Sequence, residues 1–220
     1  MKNSKLLILG GSGAIGRKVT EYAIQRGHQV TLVVRNKSSI EPHESVKIIE
    51  GNVLDDAILD LAIQGQDAVI SCLGIKRKNG KNPWSPLVSP KDFAEQATKK
   101  VLDHMEKHQG ERFIAISSAG VGDSKKSMSF AMNSLVQLSN VKLSFADLGK
   151  MEIAMQHSTL DTLAVRPVGL TDSEQVQPTG IVDRFDMSTT ISRHSVALWL
   201  VDAIERPGRF SHTTEMIGSI

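Results

Sequence analysis

Short apolar runs recur along the chain at residues 5–9, 29–34, 46–49, 67–72, 112–116 and 162–165. Each is four to six residues long and rich in Val, Ile and Leu, the length and composition of a buried strand. Between them the apolar residues take up a 3.6-residue period over 14–26, 55–63, 90–108 and 145–157, which predicts helices. The third helical pattern begins at Pro90, a residue favoured in a first helical turn. Strands that are apolar throughout and alternate with helices predict an α/β fold, a parallel sheet covered by helices on both faces. No internal repeat, low-complexity tract or linker divides the chain, so residues 1–220 are expected to form one domain with a small C-terminal region on the substrate side.

Two stretches interrupt the rhythm: residues 74–90, GIKRKNGKNPWSPLVSP, after the fourth strand, and residues 120–140, GVGDSKKSMSFAMNSLVQLSN, after the fifth. Both leave the C-terminal ends of strands, the edge at which open α/β sheets bind ligands. They are candidate walls of a site.

Composition adds limits rather than direction. Of 220 residues 40% are hydrophobic and 23% charged, ordinary for a globular protein, and the net charge of +2 is too small to argue for nucleic acid or an anionic membrane. The cluster Lys76, Arg77, Lys78 and Lys81 has only Trp84 as aromatic company, short of a base-stacking platform. Cys72, the single cysteine, cannot form an internal disulfide, and the opening MKNSKLLILGG is too short in apolar residues for a secretory leader. No run reaches the roughly 18 apolar residues of a spanning helix. A cytoplasmic protein without membrane or nucleic-acid partners is expected, as a monomer or homodimer.

The strongest local signal is LLILGGSGAIGRKV, residues 6–19. Gly11, Gly13 and Gly16 satisfy G-x-G-x-x-G, while Gly10, Gly13 and Gly16 satisfy the G-x-x-G-x-x-G spacing of short-chain dehydrogenase relatives. The run follows a predicted strand and opens a predicted helix with Ala14, Ile15 and Val19 on its inner side, the context a Rossmann-type, doubly wound cofactor fold requires. Glycines let the backbone approach a pyrophosphate, whose charge the helix N-terminus then favours. Ser12 can add a hydroxyl.

Nucleotide choice is read about 20 residues further on, where an acid would accept from the ribose diol of NAD. Arg35 stands there instead, followed by Asn36, Lys37 and Ser38. This is donor-rich, positive chemistry suited to a 2′-phosphate, and it predicts NADP. Asn52 and Val53, after the third strand, are placed to meet adenine, and Leu73 with Gly74, after the fourth, to pass under the ribose.

Together with VVRN, GNVLD, GQDAVISCLG, RFIAISSAGVGD, STLDTLAVRPVGLTD and ISRHSVALWLVDAIE, the glycine run resembles the NAD(P)H-binding, atypical short-chain dehydrogenase/reductase superfamily. Within it the chain is similar to the NADPH-dependent flavin reductase (biliverdin reductase B) type and to bacterial NADH-flavin reductase relatives, from Lys5 to about Ile204. The resemblance implies Ser117 and Ser118 near cofactor and substrate, with Pro167, Val168 and Gly169 beside the carboxamide edge of the nicotinamide. It implies Lys150 near the place of a catalytic Tyr-x-x-x-Lys, reaching ribose or phosphate. The histidine that flavin reductases carry in this region is absent.

Carbonyl-reducing members use Tyr-x-x-x-Lys because hydride arrival makes an alkoxide that needs a positioned acid. The one tyrosine here, Tyr22, sits in the first helix with Arg26 four residues on, and is expected to pack on its apolar side. A flavin, quinone or conjugated tetrapyrrole delocalises the arriving charge and takes its proton from solvent. An NADPH-dependent oxidoreductase acting on such a small planar acceptor is therefore the first expectation, with Ser118 and Lys150 as candidate catalytic residues and Met128, Phe130 and Met132 as an adaptable apolar wall. The second is a redox-sensing regulator that binds NADP without turnover and meets a protein through residues 74–90. A sugar-nucleotide epimerase or dehydratase is disfavoured by the missing tyrosine. His104 and His108 have the i, i+4 spacing of helical metal ligands but no third ligand nearby in sequence, so a solvated helix face and no metal are expected. His194 should open the last helix, with Ser192 or its neighbours as the cap.

Overall fold

The computed structural model describes residues 3–220, so Met1 and Lys2, which fall in the expected 1–220 domain and in the opening MKNSKLLILGG, lie outside the described residues. Its strands are β1 (Lys5–Leu9), β2 (Gln29–Val34), β3 (Val46–Glu50), β4 (Ala68–Ser71), β5 (Arg112–Ile116), β6 (Asp161–Pro167), β7 (Gly169–Thr171), β8 (Thr179–Ile181), β9 (Thr190–Ser192) and β10 (Thr214–Ser219). The helices are α1 (Ala14–Gln25), α2 (Asp56–Ile63), α3 (Phe93–Lys107), α4 (Phe130–Gln137), α5 (Val141–His157) and α6 (Arg193–Glu205).

The layering follows from β1. Leu6 and Ile8 join one apolar cluster and Leu7 and Leu9 another, all four buried, so this strand must be covered on both faces. One cluster is completed by Val19 and Ala23 of α1 and Val196, Leu200 and Val201 of α6. The other is completed by Leu59 and Ile63 of α2, Ala97, Val101 and Met105 of α3, and Met151 and Met155 of α5. A slip of one residue in β1 would exchange the two faces, which is why the register is well specified. The sheet order is β3-β2-β1-β4-β5-β6-β10-β8, with every pairing parallel except the antiparallel β10–β8 edge. This is a doubly wound Rossmann-type arrangement, and the chain reverses its direction of travel between β1 and β4.

Helix ends differ from the sequence pattern where tertiary partners intervene. The third helix starts at Phe93, not Pro90, because the Asp147 carboxylate of α5 accepts from the Ala94 and Glu95 N–H groups, both at 2.9 Å, and so caps it from another element. α5 begins at Val141, four residues before the expected start. After β6, the short strands β7 to β10 went unannounced by the apolar pattern. TEMIGS buries only Met216, Ile217 and Gly218, and it is a strand because β6 and β8 pair with it. Ser192 does cap α6, its side chain accepting from the Ser195 N–H.

Two helix-to-helix clamps hold α1 to α6. Arg26 pairs with Asp202 and Glu205, each at 2.5 Å, and Tyr22 Oη lies 2.9 Å from His194 Nδ1. Tyr22 is therefore a polar clasp as well as apolar packing. Among the described residues, no helix is long and apolar enough to cross a membrane.

Candidate functional site

The site is built at the reversal between β1 and β4. The chain leaves β1 through Gly10, whose φ of +76° suits glycine, and a Cβ there would lie 2.8 Å from the Cys72 carbonyl oxygen. The Gly13 N–H donates to the Gly10 carbonyl at 2.9 Å, and a Cβ on Gly16 would sit 2.2 Å from that same oxygen. At Gly11 the nearest obstacle is only the end of the Leu32 side chain. The geometry thus selects Gly10, Gly13 and Gly16 from the two spacings. Gly13 is the N-cap of α1 and offers no side-chain cap, and the first turn holds no acid, so the helix N-terminus faces outward with its N–H groups and positive end uncompensated. Ser12 and Ala14 are exposed beside it, while Ile15 packs half-buried against the core. Ala14 is therefore on the rim rather than the inner side of α1.

At the end of β2, Arg35 is exposed and makes no hydrogen bond or ion pair among the described residues. Asn36 is engaged locally: its Oδ1 accepts from the Ser38 N–H and Oγ, at 2.9 and 2.8 Å, and caps the short 3-10 helix Lys37–Ser39. Arg17, which the sequence reading passed over, reaches this loop from α1: its Nε donates to the Ser12 carbonyl at 3.1 Å and its Nη2 to the Ser39 carbonyl at 3.4 Å. A basic residue directly after Gly16 was the available signal.

Along the same edge, Asn52 is exposed with its Oδ1 accepting from the Leu54 N–H, and Val53 is buried beneath it. Leu73 is half-buried, and Gly74 is exposed with nothing within 4 Å of an added Cβ, so no steric demand holds it as glycine here. Cys72 as a residue is half-buried, but its side chain packs against the core and desolvation pushes the thiol up to about 12.

Beyond β5 lies a buried polar network that the sequence reading missed. The Ser117 Oγ donates to Glu152 Oε1 at 2.5 Å, and Glu152 in turn takes two bonds from Arg166. Arg166 also reaches Asp123 at 2.6 Å. Burial alone would lower the Arg166 pKa, but the hydrogen bonds and charges of Glu152 and Asp123 outweigh it and hold the guanidinium firmly protonated. The Arg166 hydrogen bond keeps the Asp123 carboxyl below its usual value. An arginine inside the apolar run TLAVRPV was the signal for a buried counter-charge.

Ser118 is half-buried, its Oγ donating to the Ala119 carbonyl at 3.1 Å. Pro167 and Val168 are buried one strand over, where the Pro167 carbonyl accepts from the Ala119 N–H and the Val168 N–H reaches Ile217. Lys150 is not brought to this group. Two residues from Glu152 it lies about 200° around α5, its side chain 62% exposed and its Nζ 3.4 Å from Glu95 of α3. Phe130 also departs from the expected wall: it is 87% exposed at the start of α4, whereas Met128 and Met132 pack against the core.

The two inserted segments meet each other. Residues 74–90 fold into a small hairpin with a bridge between Arg77 and Leu87, and Trp84 Nε1 donates to the Leu138 carbonyl at 3.0 Å. Asn140 Nδ2 returns a bond to the Trp84 carbonyl at 2.8 Å. The edge of the sheet is thereby walled beyond β4 and β5. His104 and His108 are not a solvated face: they are 13% and 18% exposed, and α2 brings Asp60 against both, because folding supplies a partner 44 to 48 residues away in the chain.

Residues 10–207 match a family described as NAD(P)H-binding. A divinyl chlorophyllide a 8-vinyl-reductase of Arabidopsis thaliana is 30% identical over 183 residues, which is 76% of this chain and 39% of that protein. An isoflavone reductase homolog of Zea mays is 32% identical over 83 residues, 33% of this chain and 27% of that one. The chain thus spans well under half the length of these curated relatives. A short-chain dehydrogenase/reductase of Veillonella parvula, solved in complex with NADP, superposes with a TM-score of 0.79 at 17% identity, covering 98% of this chain and 94% of that one. An anaerobillin reductase of Escherichia coli gives 0.77 at 20%, covering 97% and 96%. Both share the fold.

Proposed function

The chain belongs to the NAD(P)H-binding family, and we propose that within it this protein is an NADPH-dependent oxidoreductase whose substrate is a small planar acceptor such as a flavin, a quinone or a conjugated tetrapyrrole. The observation that carries this reading is an α1 N-terminus with a glycine N-cap and no side-chain cap, paired with an unengaged Arg35 at the end of the next strand. The residues present fit the cofactor. Gly10, Gly13 and Gly16 clear the space that a Cβ would fill, and the N–H groups of the turn with Ser12, Ala14 and Ile15 hold a pyrophosphate. Arg35 takes the 2′-phosphate, with Arg17 beside it, and Asn36 shapes that loop. Asn52 and Val53 hold the adenine, and Leu73, Gly74, Ser117, Pro167 and Val168 form the floor of the nicotinamide half.

When bound, the reduced nicotinamide supplies a hydride. Among the described residues, the groups weighed as a matching acid are otherwise engaged: Tyr22 is tied to His194, the Ser117 hydroxyl is held by Glu152, and Lys150 faces Glu95. Ser118, at the end of β5 with its Oγ donating to the Ala119 carbonyl, orients the substrate in this reading and does not protonate it. An acceptor that delocalises charge suits such a site. That the similar proteins include reductases named for divinyl chlorophyllide a and for anaerobillin supports a reductase over a regulator.

The regulator reading keeps one observation in its favour, the exposed Trp84 and Leu138 on the joined insertions. Following reduced-nicotinamide absorbance with riboflavin, FMN and quinones separates the two. Turnover with NADPH is expected, tight binding with no turnover on any acceptor would favour the regulator, and no binding of either NADP form would overturn both.

A further inference from the structure

A second candidate site lies away from the sheet edge, between α2 and α3. Two i, i+4 pairs oppose each other there, Asp56 and Asp60 on α2, and His104 of α3 with His108 at its C-cap. Asp60 Oδ1 is 2.8 Å from His108 Nε2 and 3.4 Å from His104 Nδ1. His104 Nε2 lies 3.3 Å from Asp56 Oδ1. A neutral imidazole has one N–H. If it serves Asp56, the Nδ1 presents a bare lone pair to the Asp60 carboxylate, and this Nδ1 is buried without a hydrogen-bond partner. Two electron-rich atoms held face to face call for a positive charge between them.

We propose that Asp60, His104 and His108 bind a divalent transition-metal ion of the zinc class. The donor set, two imidazoles and a carboxylate, is one that zinc accepts, with solvent in a fourth position. Bond lengths near 2.0–2.1 Å put tetrahedral donor atoms roughly 3.3 Å apart, close to the 2.8 and 3.4 Å from Asp60 to the two imidazoles, and all three donor atoms lie within 4.8 Å of one another. Asp56 stands behind His104 as the carboxylate that orients a ligating histidine. Lys107 is the direct competitor: its Nζ is 2.6 Å from Asp60 Oδ1, but the side chain is 62% exposed and free to swing aside. Lys100 plays the same part at Asp56, at 2.5 Å. The bound ion would staple α2 to α3 across one face of the sheet.

The rival solution to the His104 geometry is a proton, an imidazolium donating to both Asp56 and Asp60. Calorimetric titration of EDTA-treated protein with Zn²⁺, and of the same protein with Co²⁺ followed in the visible, distinguishes them. One equivalent of Zn²⁺ is expected, with a Co²⁺ ligand-field band and a thermal midpoint raised by roughly 5–10 °C at free Zn²⁺ about a hundred times the dissociation constant. Asp56→Asn should weaken binding about tenfold, Asp60→Asn and His108→Gln by more, and Lys107→Met should tighten it. No one-equivalent binding to the unaltered protein, or binding undiminished in Asp60→Asn and His108→Gln, would overturn the site. Should those variants misfold by circular dichroism, Lys107→Met decides alone: tighter binding supports the site, and unchanged affinity overturns it.

Discussion

Arg166 and Glu152 meet as a two-pronged ion pair inside the C-terminal edge of the sheet, Nε to Oε1 at 2.9 Å and Nη2 to Oε2 at 2.7 Å, with side chains 4% and 3% exposed. A buried pair of this kind contributes little over an apolar one, but breaking it strands a charge. Glu152→Ala should therefore cost about 3–5 kcal/mol in urea unfolding, and Arg166→Met combined with Glu152→Met should cost less than the single change. Equal losses in the two proteins would show that the cost lies in packing and not in the stranded guanidinium.

Arg35→Ala tests the nucleotide preference. Loss of a charge-assisted contact worth about 1.5–3 kcal/mol lowers NADP affinity roughly 10–100-fold, while NAD affinity stays nearly constant. Arg17→Ala should give a smaller fall in the same direction. Equal losses for NADP and NAD in Arg35→Ala would remove the 2′-phosphate from the account.

Two glycines at the same edge should behave oppositely. Gly16→Ala places a Cβ 2.2 Å from the Gly10 carbonyl and should abolish cofactor binding as the turn is forced open. Gly74→Ala meets nothing within 4 Å and should change stability by less than about 0.5 kcal/mol. Calorimetry with NADP and a thermal melt on each protein check the contrast.

The acid limb of stability should include Asp123. Its carboxyl is held below the ordinary 3.8 by the Arg166 hydrogen bond, so the folded state binds fewer protons than the unfolded one through that window. The stability this contributes is present above 3.8 and is lost as pH falls through the lower, folded value. In Asp123→Asn the deficit relative to the unaltered protein should shrink as pH is lowered below 3.8. A deficit constant down to strong acid would assign the contact no electrostatic part.

Cys72, with its thiol raised to about 12 by burial, should react with a thiol reagent at mildly alkaline pH far more slowly in the folded protein than in urea. Comparable rates would show the side chain to be open to solvent.

What local chemistry determines was legible in the chain. The strand positions from β1 to β6 and the helices α1 and α2 follow from apolar period and glycine placement, because a strand buried on both faces must be apolar throughout, whereas α4 lay inside the inserted 120–140 stretch and was not marked by it. The cofactor turn is equally local: Gly10 to Gly16, the α1 N-terminus and Arg35 lie within 26 residues, and backbone sterics there leave few options. The tertiary structure alone decided what depends on partners distant in sequence. It paired Ser117 and Glu152 with Arg166, turned Lys150 toward Glu95, made a strand of TEMIGS, and set Asp60 against His104 and His108. In each of these the favourable energy resides in a contact between elements, and no single stretch of the chain carries both halves of it.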